Sequence, residues 1–458
     1  MDATIRSPVT AALVEHLEAL GREPLAPEAA TVGKQCLMDW LGVALAARAE
    51  PAVTKVVDAL ALGPGAPGEA AILGLARRAR ADDAALVNGT MGHALDFDDV
   101  LAVMGHPTAP IAPALLALAE ATGASGDHVL TAFVVGVEAA ARVGALMGPS
   151  HYERGWHGTA TFGAFGAAAA AATLLRLDAR RTAHALGLAG TQAAGLKSVF
   201  GTMSKPFHAG RAAQAGVLAA RLAAAGFTSD TDILGSRQGF ADTQSATADP
   251  AAGLAPRALP HIVDVLFKHH AACYLTHNAI EAAGELRSAL GLRPDDIAEA
   301  RVAVMPMHLG VCDIEAPASG LECKFSLRMA CALAFAGEDT ADEAVFSDAT
   351  AAREDLQAFC RRVAVEATAA SPATQVTVRL RDGSTHAVTA DVSTPARDLE
   401  AQQAKLERKF RQVTARALSA ADAEAAILFC RDLDRQPTLR PLIALCAGVG
   451  APRPETPR

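Results

Sequence analysis

The chain has 458 residues, 51% of them hydrophobic and only 4% aromatic, with a formal net charge of −9. Such a length and apolar content supply a large buried core and favour two domains, while the negative balance, with 41 Lys and Arg scattered along the chain, argues against a nucleic-acid surface, which needs a clustered basic face. Eight cysteines without a CxxC spacing are too sparse for a disulfide framework and read as reduced, mostly buried thiols, so the expected partner is a small molecule.

In chain order, "MDATIRSPVTAALVEHLEALGREP" lacks the basic and apolar regions of a signal peptide and ends like an amphipathic helix, which makes the cytoplasm the expected compartment. From residue 8 to about 290 apolar positions recur at helical spacing, as in Val32, Cys36, Leu37, Trp40 and Leu41, and strand-like alternation is absent. The uncharged stretch 155–175, "GWHGTATFGAFGAAAAAATLL", is long enough to raise the question of a membrane. It is mostly Ala and Gly with a histidine inside, so it predicts a closely packed buried helix and no membrane.

Between about 297 and 395 the period changes to two, in "ARVAVMPMH" (300–308), "RRVAVEAT" (361–368), "TQVTVRL" (374–380) and "THAVTADV" (385–392). Asp382-Gly383 between the last two is a hairpin signal, and helical segments near 321–337 and 349–361 intervene. After Pro395 the helical pattern returns, and the tail "GAPRPETPR" is expected to fray. The fold class expected is mainly α with α+β: a large all-helical domain from both chain ends (1–268 and 396–458) and a smaller α+β lid domain (269–395).

Three helix starts carry a basic residue. His106 precedes Pro107 and so lies in a loop just ahead of "IAPALLALAEATG"; His157 precedes the Ala-rich helix; Lys205 sits at the start of "SKPFHAGRAAQAGVLAARLAAAGF", with Ser204 as a cap, Pro206 in the first turn and Gly226 as a stop. A helix N-terminus offers unpaired N–H groups and positive potential, and a cation there strengthens its preference for anions. If the three starts converge they form a site for a small polycarboxylate; the alternative is that each residue caps or packs locally. Upstream, "HALDFDDV" puts His93 and Asp96 three apart, on one face of a helix, with Asp98 and Asp99 rotated away and more plausible as solvated or capping carboxylates. Asp96 near the His106 loop would orient that imidazole and raise its pKa. The same acidic run could bind metal, as in a helical prenyl-diphosphate enzyme, but no second carboxylate-rich motif and few aromatics accompany it. Further on, Cys273 and His277 stand four apart, below Lys268, His269 and His270; one such pair is not a zinc site, and His277 is either a substrate-facing imidazole or a buried structural one.

Taken together, "NGTMGHALDFDD", "GHPTAPIAPALLALAE", "GWHGTATFGAFGAAAAAATLL", "GTMSKPFHAGRAAQAGVLAA" and "LECKFS" closely resemble the MmgE/PrpD family, in consistent order from about residue 30 to 395. That family includes 2-methylcitrate dehydratases, cis-aconitate decarboxylases and iminodisuccinate epimerases. The resemblance implies a helical domain from both chain ends, a smaller lid, homodimerisation, and a site between the domains without metal or other cofactor. Its active-site positions match Asp96, His106, His157, Lys205 and His277, and His208 and His308 are further substrate-binding candidates. "HYERGWH" and "FGTMSKP" look more like the epimerase-type members. Val100 stands where the family often has Thr, Gly158 where it often has Pro, and the lid tyrosine of decarboxylases has no counterpart in "MHLGVCDIEAP", since the chain's two tyrosines are Tyr152 and Tyr274.

The family's common problem is a carbanion next to a carboxylate, which preorganised cations must neutralise. Lys205 and His157 would hold carboxylates, His106 would move the proton, and His277 or His308 would supply a further donor. A lyase of the dehydratase kind is the leading expectation, followed by an epimerase or isomerase, a decarboxylase, and a binding protein that has lost catalysis; cis-aconitate decarboxylation is not expected as the main activity.

Overall fold

A computed structural model of the chain describes residues 8–448 apart from 64, 66 and 369. The frayed tail expected over 450–458 lies outside the described residues.

Two compact units emerge, one from the described residues up to Val265 together with those from Asp398 onward, the other from Leu266 to Arg397. In the first unit α1 (Val9–Arg22), α2 (Pro27–Ala46) and α3 (Pro51–Ala59) precede a two-stranded antiparallel ribbon, β1 (Ala70–Ile72) and β2 (Arg77–Ala79). The ribbon corrects the expectation of a purely helical N-terminal half: three residues per strand are too few for a period-two signal to stand out. There follow α4 (Ala81–His93), α5 (Thr108–Thr122), α6 (Gly126–Met147), α7 (Pro149–Glu153), α8 (Gly158–Leu174), α9 (Ala179–Gly190) and α10 (Ser204–Ala224), then the short α11 (Phe240–Gln244) and α12 (Pro250–Gly253).

The uncharged stretch is buried helix, as its composition predicts: in α8 every residue from Gly158 to Ala172 is buried. α6 is long and apolar enough to cross a membrane by length and composition, and most of its apolar window is covered by the unit itself. Small residues bring the central helices close. A Cβ on Gly89 of α4 would lie 2.8 Å from the Cα of Gly210 in α10, so these helices touch backbone to backbone, and their ends deliver His93 and Lys205 to one place.

The second unit contains α13 (His277–Leu290), β3 (Ile297–Ala303), α14 (Pro306–Cys312), α15 (Gly320–Cys323), α16 (Leu327–Ala336), α17 (Asp348–Ala351), α18 (Glu354–Cys360), β4 (Val363–Glu366), β5 (Thr374–Leu380) and β6 (Thr385–Ala390). Its sheet has the order β4-β3-β5-β6, with β3 and β4 parallel and the other pairs antiparallel. In β5 Thr374, Val376 and Val378 are buried while Gln375 and Arg379 are exposed, the half-buried alternation that marks the strand in the sequence. Gly383 takes φ +91° in the β5–β6 turn, where Asp382-Gly383 predicts a hairpin. The strand expected over 300–308 stops at Ala303, because Pro306 opens α14.

After Asp398, whose side chain caps it, α19 (Leu399–Thr414) returns to the first unit, followed by α20 (Ala420–Arg431) and α21 (Arg440–Cys446). α19 is tied to α2 by Gln35, whose amide donates to the Leu399 carbonyl (2.8 Å) and accepts from Gln402 (2.6 Å). All eight cysteines are free thiols and all but Cys273 are buried.

Candidate active site

The site of the first unit is built on the loop between α4 and α5. α4 ends at His93, and Asp96 adopts φ +52°, a left-handed conformation that Asp tolerates better than most residues. His93 and Asp96 therefore do not share a helix face, contrary to the expectation from their spacing. The turn instead folds Asp98 back so that both its oxygens meet His93 Nδ1, at 2.9 and 3.0 Å, while Asp98 Oδ2 lies 3.1 Å from His106 Nδ1. Asp98 and Asp99, expected to be solvated or capping carboxylates, are buried at 0% and 2% exposure, and Asp99 accepts the Thr108 amide at the start of α5.

Burial alone would raise the Asp98 pKa, but His106 and His93 outweigh it and hold the carboxyl well below its usual range. His93 itself is pushed down to about 4 by burial, against the pull of Asp98, and stays neutral. A neutral His93 donates Nδ1–H to an ionised Asp98, and His106 Nδ1 lies at ion-pair distance from the same carboxylate without a well-aligned hydrogen bond. His106 Nε2 lies 3.7 Å from Asp96 Oδ1. The orienting carboxylate is thus Asp98, where the sequence suggested Asp96. Asp96 holds Lys205 instead, with Nζ to Oδ1 at 2.7 Å.

The three helix starts converge. His106 stands two residues ahead of α5, His157 directly precedes α8, and Lys205 is the second residue of α10. The first helical residue of α10 is Ser204, which makes no side-chain cap, so the expected capping role fails there. Gly226 does mark the stop, at φ +89° just past Ala224. Gly105, at φ +102°, lets the chain pass Thr159, whose hydroxyl accepts the His106 N–H at 3.1 Å. Gly158 is explained in the same way: a Cβ there, proline's included, would lie 2.4 Å from the Met104 carbonyl oxygen.

His157 is 4% exposed, edge-on to Phe200 (4.8 Å between centroids) and stacked 6.1 Å from His93. Burial, with further contributions from His93 and Lys205, holds its pKa far below that of an ordinary imidazole. Its Nδ1 is 3.1 Å from Nδ1 of His208, which is half-buried on α10. Phe200 also lies under Lys205, 5.6 Å from Nζ to the ring centroid.

Beneath the loop, Lys409 of α19 is buried, pairs with Asp39 of α2 at 2.8 Å and donates to the Phe97 carbonyl at 2.8 Å. It thereby grips the backbone between Asp96 and Asp98 from a segment more than 300 residues away in sequence. Asp99 faces Thr108 at the start of α5, accepting from both its amide and its hydroxyl, and burial pushes its pKa up to about 7. Sequence reasoning missed Phe200 and Lys409, and it paired His93 with Asp96 where the structure pairs it with Asp98. The capping role offered for Asp99 is met at Thr108.

His93, Asp96, Asp98 and His106 place four ligand atoms within 4.8 Å of one another, so the set has the composition of a metal centre. The charge it needs is already supplied: Lys205 neutralises Asp96, and Asp98 is shared between two imidazoles. Cys273 and His277 do not share a helix, because α13 begins at His277 and a 3-10 turn, Tyr274–Thr276, separates them.

In the second unit His277 is 2% exposed, its Nε2 bonds the Ala272 carbonyl at 3.3 Å, and burial, with His270 and Lys268, keeps its pKa well below normal. His308 on α14 is 4% exposed, and its Nδ1 has no hydrogen-bond partner among the described residues.

Residues 11–252 match the MmgE/PrpD N-terminal domain and residues 270–435 the MmgE/PrpD C-terminal domain. The chain belongs to the MmgE/PrpD family. It is 28% identical to a cis-aconitate decarboxylase of Homo sapiens over 394 residues, 81% of this chain and 80% of that protein. It is 29% identical to the cis-aconitate decarboxylase of Aspergillus terreus over 305 residues, covering 62% of this chain and 61% of the other. A cis-aconitate decarboxylase-like protein, oryM, of Aspergillus oryzae is 32% identical over 239 residues, 49% of each chain.

Proposed function

We propose that this MmgE/PrpD protein is a lyase acting on a small di- or tricarboxylate through a carbanion next to a carboxylate, by acid–base chemistry without metal. The observation that carries the reading is Asp98 shared between His93 and His106, with His106 Nε2 turned toward the Asp96–Lys205 pair. Asp98 fixes the tautomer of His106, so that Nε2 removes a proton from carbon. Lys205, at the start of α10, exchanges Asp96 for a substrate carboxylate, and the developing charge meets a cation already in position.

The leading form is a dehydratase, in which the carbanion expels hydroxide. Decarboxylation of cis-aconitate is the second form, favoured by the relatives' names. Against it, neither tyrosine supplies a free hydroxyl for the departing carboxylate: Tyr274 donates to the Val392 carbonyl, and Tyr152 is 53% exposed with Lys197 over its ring. Purified protein incubated in D2O with a panel of citrate-like hydroxy acids, amino dicarboxylates and cis-aconitate, followed by NMR, tests the reading. Deuterium incorporation or water loss on a hydroxylated polycarboxylate is expected. Itaconate formed from cis-aconitate faster than any other product moves the assignment to the decarboxylase, and no change in any acid sinks both. The chain is further proposed to work as a homodimer, which sedimentation of the purified protein checks.

A further inference from the structure

His157 and His208 face each other through like atoms, Nδ1 to Nδ1, at 3.1 Å. Two imidazole nitrogens at that distance share a single proton, one donating and the other accepting. Close approach is built in. A Cβ on Gly195 would lie 2.5 Å from Ala160 Cβ and 3.2 Å from His208 Nδ1, and the Gly195 carbonyl accepts the His157 backbone N–H at 3.0 Å.

The surroundings of His157 constrain what it can do. Buried beside Lys205, His93 and His106, it is kept from becoming an imidazolium. A neutral imidazole donates its Nε2 proton only if Nδ1 is refilled in the same event, because the imidazolate is too basic to form near neutral pH. The group at Nδ1 is His208, whose ring is half-buried and therefore partly open to solvent.

Resting on the lyase reading above, we propose that His208 is a positioning residue acting through His157, fixing its tautomer and refilling it with protons from solvent, so that the pair is the proton port of the site. In the forward step the His157 Nε2–H bond breaks and its proton goes to the leaving hydroxide, or to carbon in a decarboxylation. The His208 Nδ1 proton moves to His157 Nδ1, and water protonates His208 Nε2. The net change is one proton from solvent to product. The pair resets when water reaches the open site, protonating His157 Nε2 and taking the proton from His208 Nε2, with the bridging proton returning to His208.

Two substitutions separate positioning from relay. His208→Gln keeps an N–H donor for His157 Nδ1 but cannot pass a proton on; His208→Phe removes both. For the Gln variant, unchanged KM and melting temperature with a kcat lower by about tenfold to a hundredfold are expected. A curved proton inventory in H2O/D2O mixtures for the wild type should become linear in the variant. Wild-type kcat with an unchanged inventory in the Gln variant overturns the proposal. A second measurement needs no substrate and no variant: 15N-histidine-labelled wild-type protein should show scalar coupling between the two Nδ1 atoms, one with N–H character and one with lone-pair character, and its absence also overturns the proposal. If the wild type transforms no polycarboxylate, the lyase reading falls separately. The port is then judged by exchange of the bridging proton with water, expected slower in His208→Gln than in wild type, equal rates counting against it.

Discussion

Both units gather histidines, and they treat them oppositely. In the first, His93 and His106 lie 4.5 Å apart with the ionised Asp98 beside both, and His93 stays neutral. In the second, His270 and His277 lie 4.9 Å apart, but the carboxylate present, Glu281, bonds His270, and His277 is left with a backbone carbonyl. A carboxylate beside a buried histidine fixes its tautomer and stabilises the charge of an imidazolium. Without one, burial keeps the ring neutral, and it moves a proton only where a second group refills it.

The largest test of this contrast is Asp98→Asn. An amide accepts from one histidine but presents N–H to the other, so it cannot serve both as the carboxylate does, and with its N–H toward His106 it puts that ring in the tautomer without a free Nε2. A wrong tautomer of a catalytic base is costly, and kcat should fall by about 10² or more, matching His106→Gln. The same change at Asp96 should cost less, since Asp96 meets Lys205 and only the far nitrogen of His106. Steady-state kinetics of the three variants, with circular dichroism to confirm folding, order them; a greater loss for Asp96→Asn than for Asp98→Asn returns the orienting role to Asp96.

Lys205→Ala should weaken substrate binding and turnover together while changing the melting temperature little, because the lysine is 18% exposed and the Asp96 it leaves behind is 29% exposed. A large fall in melting temperature with normal kinetics would make Lys205 structural.

His277→Gln sharpens the comparison from the other side. A donor without a carboxylate partner should cost about tenfold in turnover, clearly less than His106→Gln. Equal losses would mean that the carboxylate is not what separates the two histidines.

Asp99 offers a pH test. Burial raises its pKa from an ordinary 3.8 to about 7, so between about pH 4 and 7 the unfolded chain releases a proton that the folded chain keeps, and this group's contribution to stability is lost as pH rises. Asp99→Asn cannot ionise. Relative to wild type it should gain stability across that window, by on the order of 4 kcal/mol at most, in denaturant melts run at several pH values. Parallel pH profiles of the two proteins would show that Asp99 does not titrate there.

The smallest expected effect is that of chelation. Prolonged EDTA should leave activity unchanged and metal analysis should find well under one equivalent; loss of metal and activity together would turn His93, Asp96, Asp98 and His106 into a metal centre.

Helical periodicity, a change of period near residue 297, a DG turn and three basic helix starts are local signals, and each is visible because spacing alone creates it. They determined the mainly α with α+β class, the burial of the Ala-rich helix and the candidates His106, His157 and Lys205. The partners of those candidates were decided by tertiary structure. The pairing of His93 with Asp98 depends on one left-handed residue, Asp96, that ends the helical register without a glycine or proline to announce it. The grip of Lys409 on Phe97 joins segments 312 residues apart, and His157 meets His208 only because α10 packs closely on its neighbours. Spacing along the chain fixes which residues share a face, whereas the charge and tautomer of a buried side chain are set by whatever the fold brings within about 3 Å of it.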